Sequence, residues 1–155
     1  MTSIANNDDF KQYLKNLDCQ KQRKLAALFA QNVLDLTQDE RIPKILATAR
    51  QEPLDQQEME TACKLAKAAI VDSHCRCGSD CDWVQQAAYF VARAAAAAVS
   101  PENKCMTDSA AWQAAVNARM ARTSASIEND DIDPQDEISA QFRITNDFIN
   151  NEAAS

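Results

Sequence analysis

The residues best suited to chemistry in this chain are gathered between His74 and Cys81. The stretch His74-Cys75-Arg76-Cys77-Gly78-Ser79-Asp80-Cys81 contains the only histidine, the only glycine and three of the six cysteines. Thiolate sulfur and imidazole nitrogen are preferred ligands of zinc and of softer metals, and a short turn between helices can present several of them to one ion. His74, Cys75, Cys77 and Cys81 supply the donor count of a closed tetrahedral zinc site. The spacing is not that of a zinc finger, because residues 74 and 75 are adjacent and no Cys-x-x-Cys pair stands elsewhere in the chain. The same residues allow two other readings: a disulfide or redox-active thiols, and incidental thiols beside a helix-terminal histidine. Cys81 is expected in a first helical turn, where the helix dipole and free N–H groups favour a thiolate.

Catalysis finds little support in the residues. A Cys–His nucleophile pair needs an orienting group and an oxyanion hole, and Cys75 or Cys77 beside His74 has no such motif around it. The chain also lacks a phosphate-binding glycine loop, a His-Glu-x-x-His motif and the Glu-x-x-His pairs of a di-iron bundle.

A second constellation is acidic. Glu128, Asp130, Asp131, Asp133, Asp136 and Glu137 fall close together, where they repel one another. Lysines or arginines of a partner would relieve that repulsion while steering association. These residues are therefore predicted to form part of a partner-facing surface. The plainer alternative is a solvated loop whose last acids favour the amino end of the next helix. The net charge is -7, from 23 acidic against 16 basic residues, which argues against direct binding to nucleic acid, since that needs a basic face. A basic protein is the better electrostatic match, although acidity also serves solubility. Arg50, Arg93, Arg119 and Arg122 are available to pair with the acidic excess at the surface, where such pairs contribute little.

The elements that must position these groups read as helices. A chain of 155 residues with 46% apolar content can build one core, so residues 1–155 are expected to form a single domain. One glycine, four prolines and long alanine-rich stretches predict an all-α, compact bundle of about six or seven helices. The first helical region covers about 9–36, as one long helix or as two with a break near Asp18 to Lys21. A helix over about 39–51 follows an N-cap at Thr37-Gln38-Asp39, with Pro43 in its first turn. Asp55 to Glu58 resembles a capping box and opens a helix over about 55–74 with a stripe of Met59, Ala62, Cys63, Ala66, Ala69 and Ile70. On that helix Cys63 and His74 share a face but stand about 16 Å apart, too far to share an ion.

Ser79 with Asp82 forms another capping box, before an alanine-rich helix that ends near Ser100-Pro101. Thr107 or Asp108 is expected to cap a helix carrying Trp112, Ala115, Val116 and Met120. Trp83 to Arg93 and Trp112 to Arg122 echo each other in spacing, as paired helices or as chance in alanine-rich sequence. Both tryptophans are read as core packing, with interface anchoring as the alternative. Residues 124–136 read as an acidic loop, and 137–150 as a terminal docking helix with Ile138, Phe142, Thr145 and Ile149 on one stripe. No window approaches the roughly 18 apolar residues of a membrane span, and the first nine residues lack the pattern of a secretory signal. A cytoplasmic protein with no membrane contact is expected, in a compartment that disfavours disulfides.

One stretch resembles a known group. Cys19-x-x-x-Arg23-x-Leu25-x-x-Leu28-Phe29, followed by Asp39-x-Arg41-x-Pro43-x-x-x-Leu46-x-x-Ala49-Arg50, is similar to the opening of an alanine-rich helical group of immunity proteins in bacterial polymorphic toxin systems. The Ala-Arg pairs at 92–93 and 121–122 are similar in style, and the likeness covers about residues 17–122. In that group the proline usually follows the arginine directly, whereas here Ile42 intervenes. The resemblance implies a small cytoplasmic antitoxin that binds and blocks a cognate toxin, with a basic toxin as partner and no catalysis of its own; it carries over no binding residue. The alternative is a helical metal-binding domain, for sensing or storage, that holds zinc or another thiophilic ion in the 74–81 loop.

Overall fold

The computed structural model describes residues 3–76 and 82–154, and among these the regular structure is entirely helical. Eight α-helices follow in order: α1 (Asn7–Lys15), α2 (Cys19–Asn32), α3 (Arg41–Ala49), α4 (Gln56–Arg76), α5 (Trp83–Ala98), α6 (Glu102–Thr107), α7 (Ala110–Ile127) and α8 (Pro134–Ala154), with a short 3-10 turn at Leu34–Leu36. The count exceeds the expected six or seven for two local reasons. Asp18 accepts a hydrogen bond from the Lys21 N–H and so caps a new helix rather than bending an old one. Pro101 then allows a short extra helix before α7.

Side-chain caps set most starts. Asn6 caps α1 and Asp82 caps α5, the latter accepting from the Gln85 N–H at 2.7 Å. Asp55 accepts from the N–H groups of Gln57 and Glu58. The start of α7 departs from expectation: its cap is Ser109, not Thr107 or Asp108, and Ser109 has φ 55°. Such a backbone is costly for a residue with a Cβ. Tertiary contacts offset the cost, because the Ser109 hydroxyl accepts from the Trp112 N–H and donates to Oε1 of Gln22 at 3.0 Å.

Gln22 is fully buried and serves two turns at once. Its Nε2 donates to the Leu14 carbonyl at the end of α1, while its Oε1 also accepts from the Ala111 N–H. Orphan backbone groups of one helix end and one helix start are thereby satisfied by a single amide.

At the centre, α5 packs most extensively on α7, and α2 lies against both. The seam is built from alanines, among them Ala94, Ala95 and Ala98 of α5 and Ala111, Ala114, Ala115, Ala118 and Ala121 of α7, all buried. Small side chains let the helix backbones approach closely, and larger residues fill the flanks. Phe10 of α1 supplies one such flank, with ring centroids 5.7 Å from Phe29, 6.1 Å from Trp112 and 5.3 Å from Phe142. The two tryptophans do not share an environment despite their matching spacing: Trp112 packs on Phe10, whereas Trp83 is 43% exposed. The expectation of a core role therefore fails for Trp83.

The last helix is longer than expected and is turned by about one residue. Its buried face runs through Glu137, Ala140, Gln141, Thr145 and Phe148, while Ile138, Phe142 and Ile149 flank it half-buried. Polar residues can lie inward here because α7 supplies their partners. Arg119 Nε donates to Gln141 Oε1 at 2.8 Å, and Gln141 Nε2 donates to the Ala115 carbonyl at 3.0 Å. The front of the chain is tied to the same helix, since the Ile4 N–H donates to Asn146 Oδ1 at 2.8 Å and Asn146 Nδ2 donates to the Ile4 carbonyl. No helix among the described residues is long and apolar enough to cross a membrane.

Candidate functional site

A cleft of about 1180 Å³ opens where four segments distant in sequence converge. Its walls are the 35–41 turn, Asp72 and Ser73 near the end of α4, Val84 to Ala88 at the start of α5, and Ala125 with Glu128, Asn129 and Ile132 at and beyond the end of α7. Local chemistry fixes each wall. Asp39 accepts from the Arg41 N–H at 3.0 Å, which delays the start of α3 and leaves the turn folded over the cleft. Arg41 then bridges two walls, pairing with Asp39 at 2.8 Å and with Asp72 at 2.9 Å. Asp39 and Asp72 hold the Arg41 guanidinium firmly protonated, through hydrogen bonds first and charge second.

The lining combines charge with apolar surface. Five carboxylates, those of Asp35, Asp39, Glu40, Asp72 and Glu128, line the cleft with one guanidinium, that of Arg41, which pairs with Asp39 and Asp72, while Asp35 pairs with Arg122. Leu36, Val84, Ala87, Ala88 and Ile132 are among the apolar residues of the lining, and Val84 is 60% exposed. Trp83 lies on the same first turn of α5. Val84 and Trp83 thus leave adjoining apolar surface open to water on one helical turn.

Of the candidate site residues picked out from the sequence, only Glu128 lines this cleft, and the two groups meet different fates. His74 follows Ser73, is exposed, and rests its ring 5.7 Å from that of Tyr89. The side chain of Cys75, and Cys77 and Cys81 entirely, lie outside the described residues. Among the described residues no three His, Cys, Asp or Glu side chains converge as a metal site would require. Because α4 runs unbroken from Gln56 to Arg76, Cys63 stays about 16 Å from His74 and cannot join it.

Of the acidic set, Glu128 lines the cleft, and Asp131, Asp133 and Asp136 line a neighbouring groove of about 440 Å³ that shares Ile132 with it. Asp130 is exposed in neither cavity, and Asp133 doubles as the cap of α8 by accepting from the Gln135 N–H. Glu137 also lines that groove but is not part of the exposed acidic surface. It is 2% exposed and turned inward, accepting from Asn32 Nδ2 at 2.8 Å and from Arg122 Nε at 3.3 Å. Burial pushes its carboxyl above the usual range, more than Asn32 and Arg122 draw it down. No local pattern signals this, because the partner that makes a buried glutamate tolerable sits on another helix.

Arg119 and Arg122 are likewise not loose surface pairs. Arg122 binds Asp35 at 2.9 Å, Glu137, and the Asn32 carbonyl. Arg119 lies over the rings of Phe10 and Trp112, at 5.1 and 5.6 Å, and burial lowers its pKa. Asp35 thus links the cleft rim to the α7–α8 seam through Arg122. Comparison with protein-family models, with curated proteins and with solved structures finds no match for the chain.

Proposed function

We propose that this protein is a non-catalytic inhibitor of the immunity type, which acts in the cytoplasm by binding and neutralising a cognate bacterial toxin. The observation that carries this reading is the cleft, whose lining mixes five carboxylates with the exposed Val84, next in sequence to the exposed Trp83. A basic toxin segment with one or two apolar anchors matches such a surface. Its charge would steer encounter, and burial of the anchors against Val84 and Trp83 would slow release. The excess of acids over bases and the resemblance of residues 17–122 to the alanine-rich immunity group point the same way.

Co-expression with the product of the neighbouring reading frame tests it. Rescue of growth by the wild type, and its loss in Val84→Asp or in Glu40→Lys with Glu128→Lys, is the expected result. A neighbour that is harmless, or equally toxic with this protein present, defeats the reading. Zinc held by His74, Cys75, Cys77 and Cys81 is the alternative reading, favoured by the exposed position of His74 in the last turn of α4, and it could act as a staple within an inhibitor. Metal analysis of protein purified without a histidine tag decides it. Less than one ion per several chains, with every thiol open to titration, removes the metal.

A further inference from the structure

Nearer the amino end of α4 lies a surface of opposite sign. A cavity of about 260 Å³ is bounded by Lys67 of α4, Arg93 of α5 and Lys104 of α6. A second, of about 280 Å³, is bounded by Arg23 of α2 and Lys64 of α4. They share Cys63, Lys67, Ser100 and Pro101 and so form one groove, with no lining residue in common with the acidic cleft.

Five cations meet two carboxylates there, those of Glu60 and Asp108. In a chain with 23 acids against 16 bases, cations would be expected to find ion-pair partners. Among the described residues, none of these five does so. Lys64 and Lys67 are three residues apart on one helical face, a spacing that brings like charges together at a cost. Arg93 is held by Tyr89, its guanidinium 5.7 Å from the ring centroid and Nη1 3.4 Å from the hydroxyl. Arg23 is fixed by donation from Nη2 to the Ser100 carbonyl at 3.2 Å, yet its Nε is buried with no hydrogen-bond partner. That Nε is shielded from solvent, so Arg23 contributes charge to the groove rather than this donor.

We propose that the groove between α4 and the α5–α6 corner binds a small, multiply charged anion of the phosphate or diphosphate class. The two cavities are each small, on the scale of a compact ligand rather than of a partner helix. The Arg93 guanidinium fits oxyanion geometry, and Arg23, Lys64, Lys67 and Lys104 add positive charge around it. The site stands independently of the inhibitor reading.

Titration of the full chain with inorganic pyrophosphate, followed by calorimetry and by amide NMR shifts, tests the proposal. Saturable one-to-one binding is expected, with shifts centred on residues 64–67, 93–100 and 104. Lys67→Gln and Arg93→Gln change exposed side chains and should each weaken binding about tenfold, the loss of one charge-assisted contact. Lys21→Gln, which removes a cation paired with Glu152 instead, should leave the affinity unchanged. Absence of saturable binding, equal weakening by Lys21→Gln, or indifference to Lys67→Gln and Arg93→Gln would overturn the proposal. Binding of a polyglutamate peptide without binding of pyrophosphate would also overturn it, in favour of an acidic protein segment.

Discussion

Arg122 and Glu137 meet across the α7–α8 seam with Nε 3.3 Å from Oε1, and the Glu137 side chain is wholly shielded from water. The pair is unequal. Burial disfavours charge on both groups, but Asp35 and Glu137 together more than restore it on Arg122, whereas Glu137 keeps a raised pKa.

A pH dependence follows from that shift. With its folded pKa above the ordinary 4.5, Glu137 takes up a proton more readily in the native than in the unfolded state. Its contribution is therefore fully present below the ordinary carboxylate value and declines as pH rises through the folded one. The stability of the wild type relative to Glu137→Gln should fall over that interval, as read by urea unfolding at a series of pH values. A difference that stays flat, or grows with pH, contradicts the assignment.

Removing the Gln22 amide should destabilise the fold by about 3 kcal/mol, because the Leu14 carbonyl and the Ala111 N–H lose their buried partner. Gln22→Leu, close in size, separates hydrogen bonding from volume and should cost nearly as much as Gln22→Ala. Ser109→Gly relieves the positive φ that Ser109→Ala retains, so the glycine variant should be the milder of the two. Denaturant midpoints for the four variants check the ranking.

Enlarging the alanine seam should be costly. Ala118→Leu inserts three carbons where α7 has no exposed surface at that position, and a loss of about 1–3 kcal/mol is expected from forced displacement of the helices. The same change at Ala97, which is only half-buried, should cost less. Thermal unfolding of both variants makes the comparison.

Thiol chemistry should be ordered by burial. Cys105 is fully buried, its thiol pushed well above its usual pKa by burial and by the hydrogen bond with Cys19. Under native conditions iodoacetamide should label the partly exposed Cys19 and Cys63 well before Cys105. Peptide mapping over a time course reads the order, and early labelling of Cys105 would contradict the packing of α6.

The helices were legible where local chemistry decides them. Asp55 and Asp133 each begin a helix by a bond to an N–H two residues on, a relationship written in adjacent residues, whereas Asp18 decides a break that periodicity leaves open and Asp82 itself caps α5 where the pattern points to Ser79. The stripe of α4 could be read for the same reason. What escaped depends on distant partners. Ser109 outcompetes Thr107 and Asp108 as a cap because Gln22, far earlier in the chain, rewards its unusual backbone. The inward face of α8 passes through Glu137 and Gln141 because Arg122 and Arg119 wait for them, and apolar periodicity alone cannot show that. The cleft joins residues 35–41 to residues 84–88 and 125–132, so only its Glu128 corner could be anticipated from the acidic run.

The clasp between Ile4 and Asn146 makes the architecture circular in effect. Residues at the front of the chain hold the last helix through that clasp, through Phe10 against Phe142 and through Lys21 with Glu152, and the last helix holds them in return. Neither segment can peel away without exposing the other. Local opening should therefore join two stretches at opposite ends of the sequence into one cooperative unit, with α1 and α8 exchanging their amide hydrogens together, while the α5–α7 seam exchanges only on global unfolding.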